Sequence, residues 1–221
     1  MSMHFINVVA LVTLTLSVPA VGCSQRGSGK ENRPAPTVSD LIRASSAGQM
    51  LLNVPVPAAL PNDTDIVVAE RYVRDHADYT AYHLLFLLHD QSPKAYEAIP
   101  ADTKARVLCS ALANCTLMND WGYLAPEGCQ DSVSAKALLA LGDAALPYLE
   151  PQLDDMREAY LFGSEEATVS FDLGYRRADF AYRYSMLILG HNPAFPGDPA
   201  ERDKLIDALK ADILRRGVRK G

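Results

Sequence analysis

The residues best suited to chemistry fall into a few short groups. Asp75, His76 and Asp78 stand together, and His83 and His89 follow closely. His76, Tyr79 and His83 can share one face of a helix, so a metal or hydrolytic centre built on Asp75, His76 and His83 is conceivable. The spacing matches neither H-E-x-x-H nor a two-histidine, one-carboxylate pattern. The plainer account has Asp78 capping a helix and His83 half-buried on a hydrogen bond. Beyond the N-terminal region, Cys109, Cys115 and Cys129 are spaced C-x5-C-x13-C, which fits no common zinc pattern. A Cys115–Cys129 disulfide is the favoured pairing, with Cys109–Cys129 next, and closing the intervening loop would be worth about 3 kcal/mol. Ser110 and Ser164 have no context that would activate them, and the chain carries no G-x-S-x-G, phosphate loop or S-x-x-K. No cofactor or metal is expected, and no catalytic residue is assigned.

Two aromatic groups suit binding better. Trp121-Gly122-Tyr123 holds the only tryptophan and lies in a long connecting stretch, where aromatics are favoured interface anchors. Alternatively, Trp121 folds back into the core. Tyr175, Arg176, Arg177, Asp179, Tyr182, Arg183 and Tyr184 form an Arg and Tyr cluster that could receive an acidic partner segment. Ordinary helix-surface ion pairs, Arg176 with Asp179 and Asp179 with Arg183, account for it equally. Tyr123, Tyr175, Arg176 and Arg183 therefore join Trp121 as candidate protein-binding residues.

The chain that must position these groups has 221 residues and a net charge of −6. That is one domain's worth of chain, and its acidity argues against nucleic acid as a partner. From Phe5 to Gly22 there is no charged residue, and Leu, Val, Ile and Ala dominate. This reads as a signal peptide over 1–22. Ala20-Val21-Gly22-Cys23 resembles a bacterial lipobox, which implies lipidation at Cys23 and anchoring in the cell envelope. Ser24 then resembles a sorting signal to the outer membrane, facing the periplasm. Cleavage after Ala20, giving a soluble secreted protein, and retention of the run as an anchor remain alternatives. Residues 23–37 form a Ser, Gly, Pro and charge-rich linker with nothing to offset the entropy of ordering it.

Residues 38–221 read as all-α. Three segments align without a gap: Asp78–His89, Asp131–Gly142 and Asp179–Gly190. Each opens on Asp, which favours a helix N-terminus, and carries large apolar residues at its eighth and eleventh places. A second helix follows each one, from Pro100 through Leu112, from Asp143 to Asp155 on Leu146, Leu149 and Leu153, and from Pro199 on Leu205, Ile206, Leu209 and Ile213. Ile66–Asp75 begins a further helix. The basic tail Arg215, Arg216, Arg219 and Lys220 suits a helix C-terminus.

Leu141-Gly142, Ala145-Leu146-Pro147 and Leu153-Asp154 carry a family resemblance. Val133–Asp155 resembles a HEAT repeat of the short bacterial kind. The resemblance implies a short α-solenoid of helical hairpins that binds proteins and rarely catalyses. The expectation is thus an envelope-anchored scaffold, adaptor or inhibitor with a protein partner, and a small periplasmic enzyme using Asp75, His76 and His83 as the alternative.

Overall fold

The computed structural model describes Ser39 and residues 63–124, 132–163, 165–192 and 195–217. The chain divides into two units, Met1–Pro34 and Ala35–Gly221, and every described residue belongs to the second. The apolar run, Cys23, the linker, Cys129, Asp131, Ser164 and the basic residues Arg219 and Lys220 lie outside the described residues.

The described residues are all-α, with nine α-helices and no strand. They are α1 (Asp63–Asp75), α2 (Tyr82–Gln91), α3 (Pro93–Ala98), α4 (Ala101–Asn114), α5 (Val133–Ala140), α6 (Leu146–Leu149), α7 (Glu165–Asp172), α8 (Arg177–Ile188) and α9 (Pro199–Arg216). Two helices form the centre. Every residue from Tyr82 to Leu88 in α2 and from Ala178 to Ser185 in α8 is buried. Both are surrounded by other helices; α2 is almost wholly apolar there, with His83 the one exception, whereas α8 also buries Asp179, Arg183 and Ser185. The outer helices bury single stripes: Ala69 and Val73 in α1, Val107, Leu108, Ala111 and Leu112 in α4, and Ile206, Leu209 and Ile213 in α9.

Helix ends follow local chemistry. Asp78 does cap, its carboxylate accepting from Thr80 N at 2.8 Å and Thr80 Oγ1 at 2.6 Å, but α2 opens only after a 3-10 turn over Tyr79–Ala81. Helix α5 is capped instead by Ser132, whose hydroxyl accepts from Ala135 N. The third aspartate, Asp179, is the third residue of α8, where its carboxylate accepts from the Arg176 backbone in a capping box. At the aligned closing position, Gly142 and Gly190 have φ of +53° and +80°, which ends α5 and α8 just before them. His89 stands there in α2, and that helix runs on to Gln91. The expected helix over Asp143–Asp155 is broken into one α-turn between two 3-10 turns. Pro147 and Pro151, four apart, each remove an amide donor from it. Its apolar stripe survives, since Leu146, Leu149 and Leu153 are all buried. Helices α3 and α7 lie between the helices the sequence marks.

Arginines tie the helices together by collecting carbonyls. Arg177 donates to Leu112 O (3.2 Å), Ala113 O (2.7 Å) and Cys115 O (2.5 Å), closing the C-terminus of α4 from the start of α8. Arg202, buried in α9, donates to Leu173 O (2.8 Å), Gly174 O (3.0 Å), Gly197 O (3.0 Å) and Pro196 O (3.3 Å). Cations are favourable where helix carbonyls are left over. The counter-charge is Asp179, whose side chain has no exposed surface. It accepts from Arg176 N at 2.8 Å and Arg176 Nη2 at 3.0 Å. Arg202 Nε lies 3.3 Å from Oδ2, the oxygen that also accepts from Arg176 N, an ion pair without hydrogen-bond alignment.

Removing one member of a buried pair strands the other charge, so Asp179→Ala is expected to cost about 3–5 kcal/mol in urea unfolding. Asp203, half-exposed and paired with Arg176 at 2.7 Å, is the control: Asp203→Ala is expected to cost less than about 1 kcal/mol. Equal effects from the two variants would rule out this ordering.

Candidate functional site

The residues expected to form an exposed binding face are mostly core. Trp121 is 1% exposed. Its ring meets Tyr184 edge-on at 6.2 Å and Tyr82 at 6.3 Å, wedging between α8 and α2, and its carbonyl accepts from Tyr184 Oη. The largest apolar side chain in the chain yields more by filling that junction than by facing water. Tyr175 and Arg183 are also buried, Tyr175 lying between Phe195 and the Arg202 guanidinium. Arg176 is half-buried and already paired with Asp179 and Asp203. Tyr123 is half-buried beside Trp121. Within this cluster Asp179 already pairs with Arg176 and Arg202.

The structure also separates the histidines. Asp75 and His76 are exposed, and the His76 imidazole stacks on Tyr72 with ring centroids 4.0 Å apart. His83 is buried in α2, meets Tyr82 edge-on, and its Nδ1 has no hydrogen-bond partner. Among the described residues no three His, Cys, Asp or Glu side chains converge as a metal site. Cys115 is a free buried thiol, so the bridge to Cys129 is not formed. Its sulfur faces inward, 3.2 Å from both Leu112 O and Met118 Sδ, and burial pushes the thiol up to about 11 against the pull of Arg177.

A polar cleft of about 300 Å3 lies between α4 and α6, lined by Arg106, Ser110, Tyr148 and Gln152. Most of its polar atoms serve the fold. Ser110 Oγ accepts from Tyr79 N, Tyr148 Oη donates to Asp102, and Gln152 Nε2 donates to Cys109 O.

A different surface presents aromatic side chains to water. Phe162 is 68% exposed and Phe171 is 73% exposed. Together with Leu161, Gly163, Glu165 and Thr168 they line a shallow, open groove of about 830 Å3. The backbone beneath Phe162 is firmly held. The Asn119 side chain donates to Phe162 O and accepts from Phe162 N, both at 2.9 Å, while Met118 N donates to Tyr160 O at 2.7 Å. A few residues back, Ala159 N donates to Tyr175 O and Arg177 N to Arg157 O, so the segment is stitched to the entry of α8. Helix α7 lies across it with its usual polarity reversed. Among its described side chains only Ser170 is buried, and it donates to Ala159 O, whereas Val169 and Phe171 face solvent. Gly174, at φ +58°, closes α7, with Tyr175 N donating to Ser170 O and Gly174 N to Phe171 O.

One carboxylate, Glu165, lines the groove, and the sequence around it is acidic. From Glu158 to Tyr175 the sequence holds Glu158, Glu165, Glu166 and Asp172, and no Lys or Arg. Held backbone, exposed aromatics and one sign of charge suit recognition of a surface. The available sequence signal was Ser164-Glu165-Glu166, a helix-start pattern, leading to an aromatic outside any buried stripe.

No family model, curated protein or solved structure matches the chain.

Burial holds the His83 pKa below its usual value. As pH falls through about 6.5, the unfolded chain takes up this proton first. Stability contributed by neutral His83 is therefore complete above that pH and lost below it, toward the lowered folded value. Urea unfolding between about pH 7.5 and 5.5 should show falling stability. His83→Leu should flatten the slope, and an unchanged slope would remove His83 from the explanation.

Proposed function

We propose that the chain is a lipid-anchored, non-enzymatic protein-binding module of the bacterial cell envelope, acting as a scaffold, adaptor or inhibitor. The observation that carries this reading is the groove in which Phe162 and Phe171 stand exposed over a backbone fixed by Asn119. Exposing two large aromatics side by side forfeits about 1.5–3 kcal/mol of burial for each. Grooves of this kind on monomers mark binding surfaces. The apolar run from Phe5 to Gly22 and its ending at Cys23 support export and anchoring. On that reading Cys23 carries the lipid, the linker to residue 37 gives reach, and the domain faces the periplasm from the outer membrane. The recurring first helices α2, α5 and α8, each followed by a second helix, support a short HEAT-like solenoid as the architecture.

Two measurements test the proposal. The intact mass of protein made with its native leader should show a chain beginning at Cys23 with a diacylglyceryl and an acyl group, both lost in Cys23→Ser. A mass that begins at Val21 without lipid would make it a secreted protein. A photo-reactive phenylalanine analogue at position 162 should cross-link one discrete protein in intact cells, and the same analogue at exposed Leu214 should not. Equal cross-linking at both positions would overturn the groove as the binding surface.

A further inference from the structure

We infer that the Phe162–Phe171 groove takes a basic, amphipathic helical segment of a partner protein: apolar residues seat between the two phenylalanines, and Lys or Arg residues flank them. The inference rests on the protein-binding reading and adds the partner's chemistry. The apolar part follows from the lining, in which Leu161, Phe162, Ala167 and Phe171 supply the surface and only Glu165 and Thr168 the polar contacts. The charge follows from the acidic run between Glu158 and Asp172, uninterrupted by any basic residue. Complementary potentials steer encounter and suppress wrong partners. Glu158 is turned toward Tyr160, whose hydroxyl donates to it at 2.6 Å. Glu165, exposed on the groove wall, and Asp172, exposed at the far end of α7, have no ion pair among the described residues and remain open to an incoming cation.

Length favours a helix over a single side chain. A groove of about 830 Å3 beside a two-turn helix is larger than one side chain fills and accommodates anchors at i, i+3 and i+4. The same acidity disfavours a membrane as the occupant, because anionic head-groups would meet like charge. Among the described residues, the end of α9 joins basic side chains to an exposed apolar one, Leu214. There, however, Arg215 and Arg216 are already paired with Asp212. A second copy is therefore the poorer fit.

The test uses the full chain reconstituted in zwitterionic nanodiscs and a labelled synthetic helix of Leu and Lys at heptad spacing. Controls are the same helix with Glu for Lys and with Gln for Leu. The Leu–Lys helix should bind, with affinity falling at least tenfold in Phe162→Ser/Phe171→Ser and in Glu165→Lys/Asp172→Lys. Both control helices should bind at least tenfold more weakly. All four positions are exposed, so thermal unfolding of both variants should match the parent. Undiminished binding of the Leu–Lys helix to either variant would overturn the inference. So would equal binding of the Leu–Glu helix, Phe162-dependent binding of anionic vesicles, or self-association through the groove. If position 162 still cross-links a protein while the Leu–Lys helix fails, the charge inference falls and the protein-binding reading stands. Failure of both measurements removes the groove as a docking surface altogether.

Discussion

Asp179 places a negative charge where no water reaches it, and much of the C-terminal half is arranged around that fact. A buried carboxylate is tolerated only when paired and hydrogen-bonded. Arg176 supplies the local partner from the edge of the same helix, and Arg202 supplies the distant one from α9. Arg202 in turn brings a buried guanidinium whose remaining protons must be satisfied. They are taken up by carbonyls at Leu173, Gly174, Pro196 and Gly197, with Tyr175 and Phe195 packed over the plane. One charge thus fixes the end of α7, the start of α8, the approach to α9 and α9 itself.

The exposed groove is a consequence of that arrangement. The C-terminus of α7 is held by Arg202 and its middle by Ser170, and the helix turns Val169 and Phe171 outward. The opposite wall is pinned independently by Asn119, which follows Met118 in the connection leading to Trp121. Trp121 sits in the junction of α2 and α8, so the groove is referenced to the two central helices through two short links. A surface that presents aromatics on a rigid support loses little conformational entropy when a partner arrives.

Much of the helix content was legible from periodicity: α2 and α4 bury the residues whose spacing marked them and α9 buries Ile206, Leu209 and Ile213, whereas the marked Met186 and Leu189 at the end of α8 are only partly buried. The leucines at 146, 149 and 153 were placed correctly on one face even though two prolines break the helix that carries them. The failures share a cause. Arg176, Asp179 and Arg183 read as surface because charged residues usually are. What buries Asp179 is Arg202, a partner 23 positions away that no local pattern reveals. Trp121 could be read as anchor or core until the Tyr82 and Tyr184 rings defined its pocket. Exposure of an aromatic is a tertiary property that Phe162 and Phe171 do not show in sequence: Phe171 would be core were α7 rotated by half a turn.

Hydrogen exchange read by mass spectrometry on the full chain tests the central claim, that the Asp179–Arg202 pair forms the rigid centre and leaves α7 displayed on its outside. Amides of residues 178–185 should exchange among the slowest in the protein and those of 165–170 much faster, since local opening costs least where few buried contacts must break. Asp179→Ala should collapse that contrast by accelerating 178–185. Protection of 165–170 equal to that of 178–185 would mean that the aromatic face is covered in the free protein, and would contradict both the packing account and the groove that depends on it.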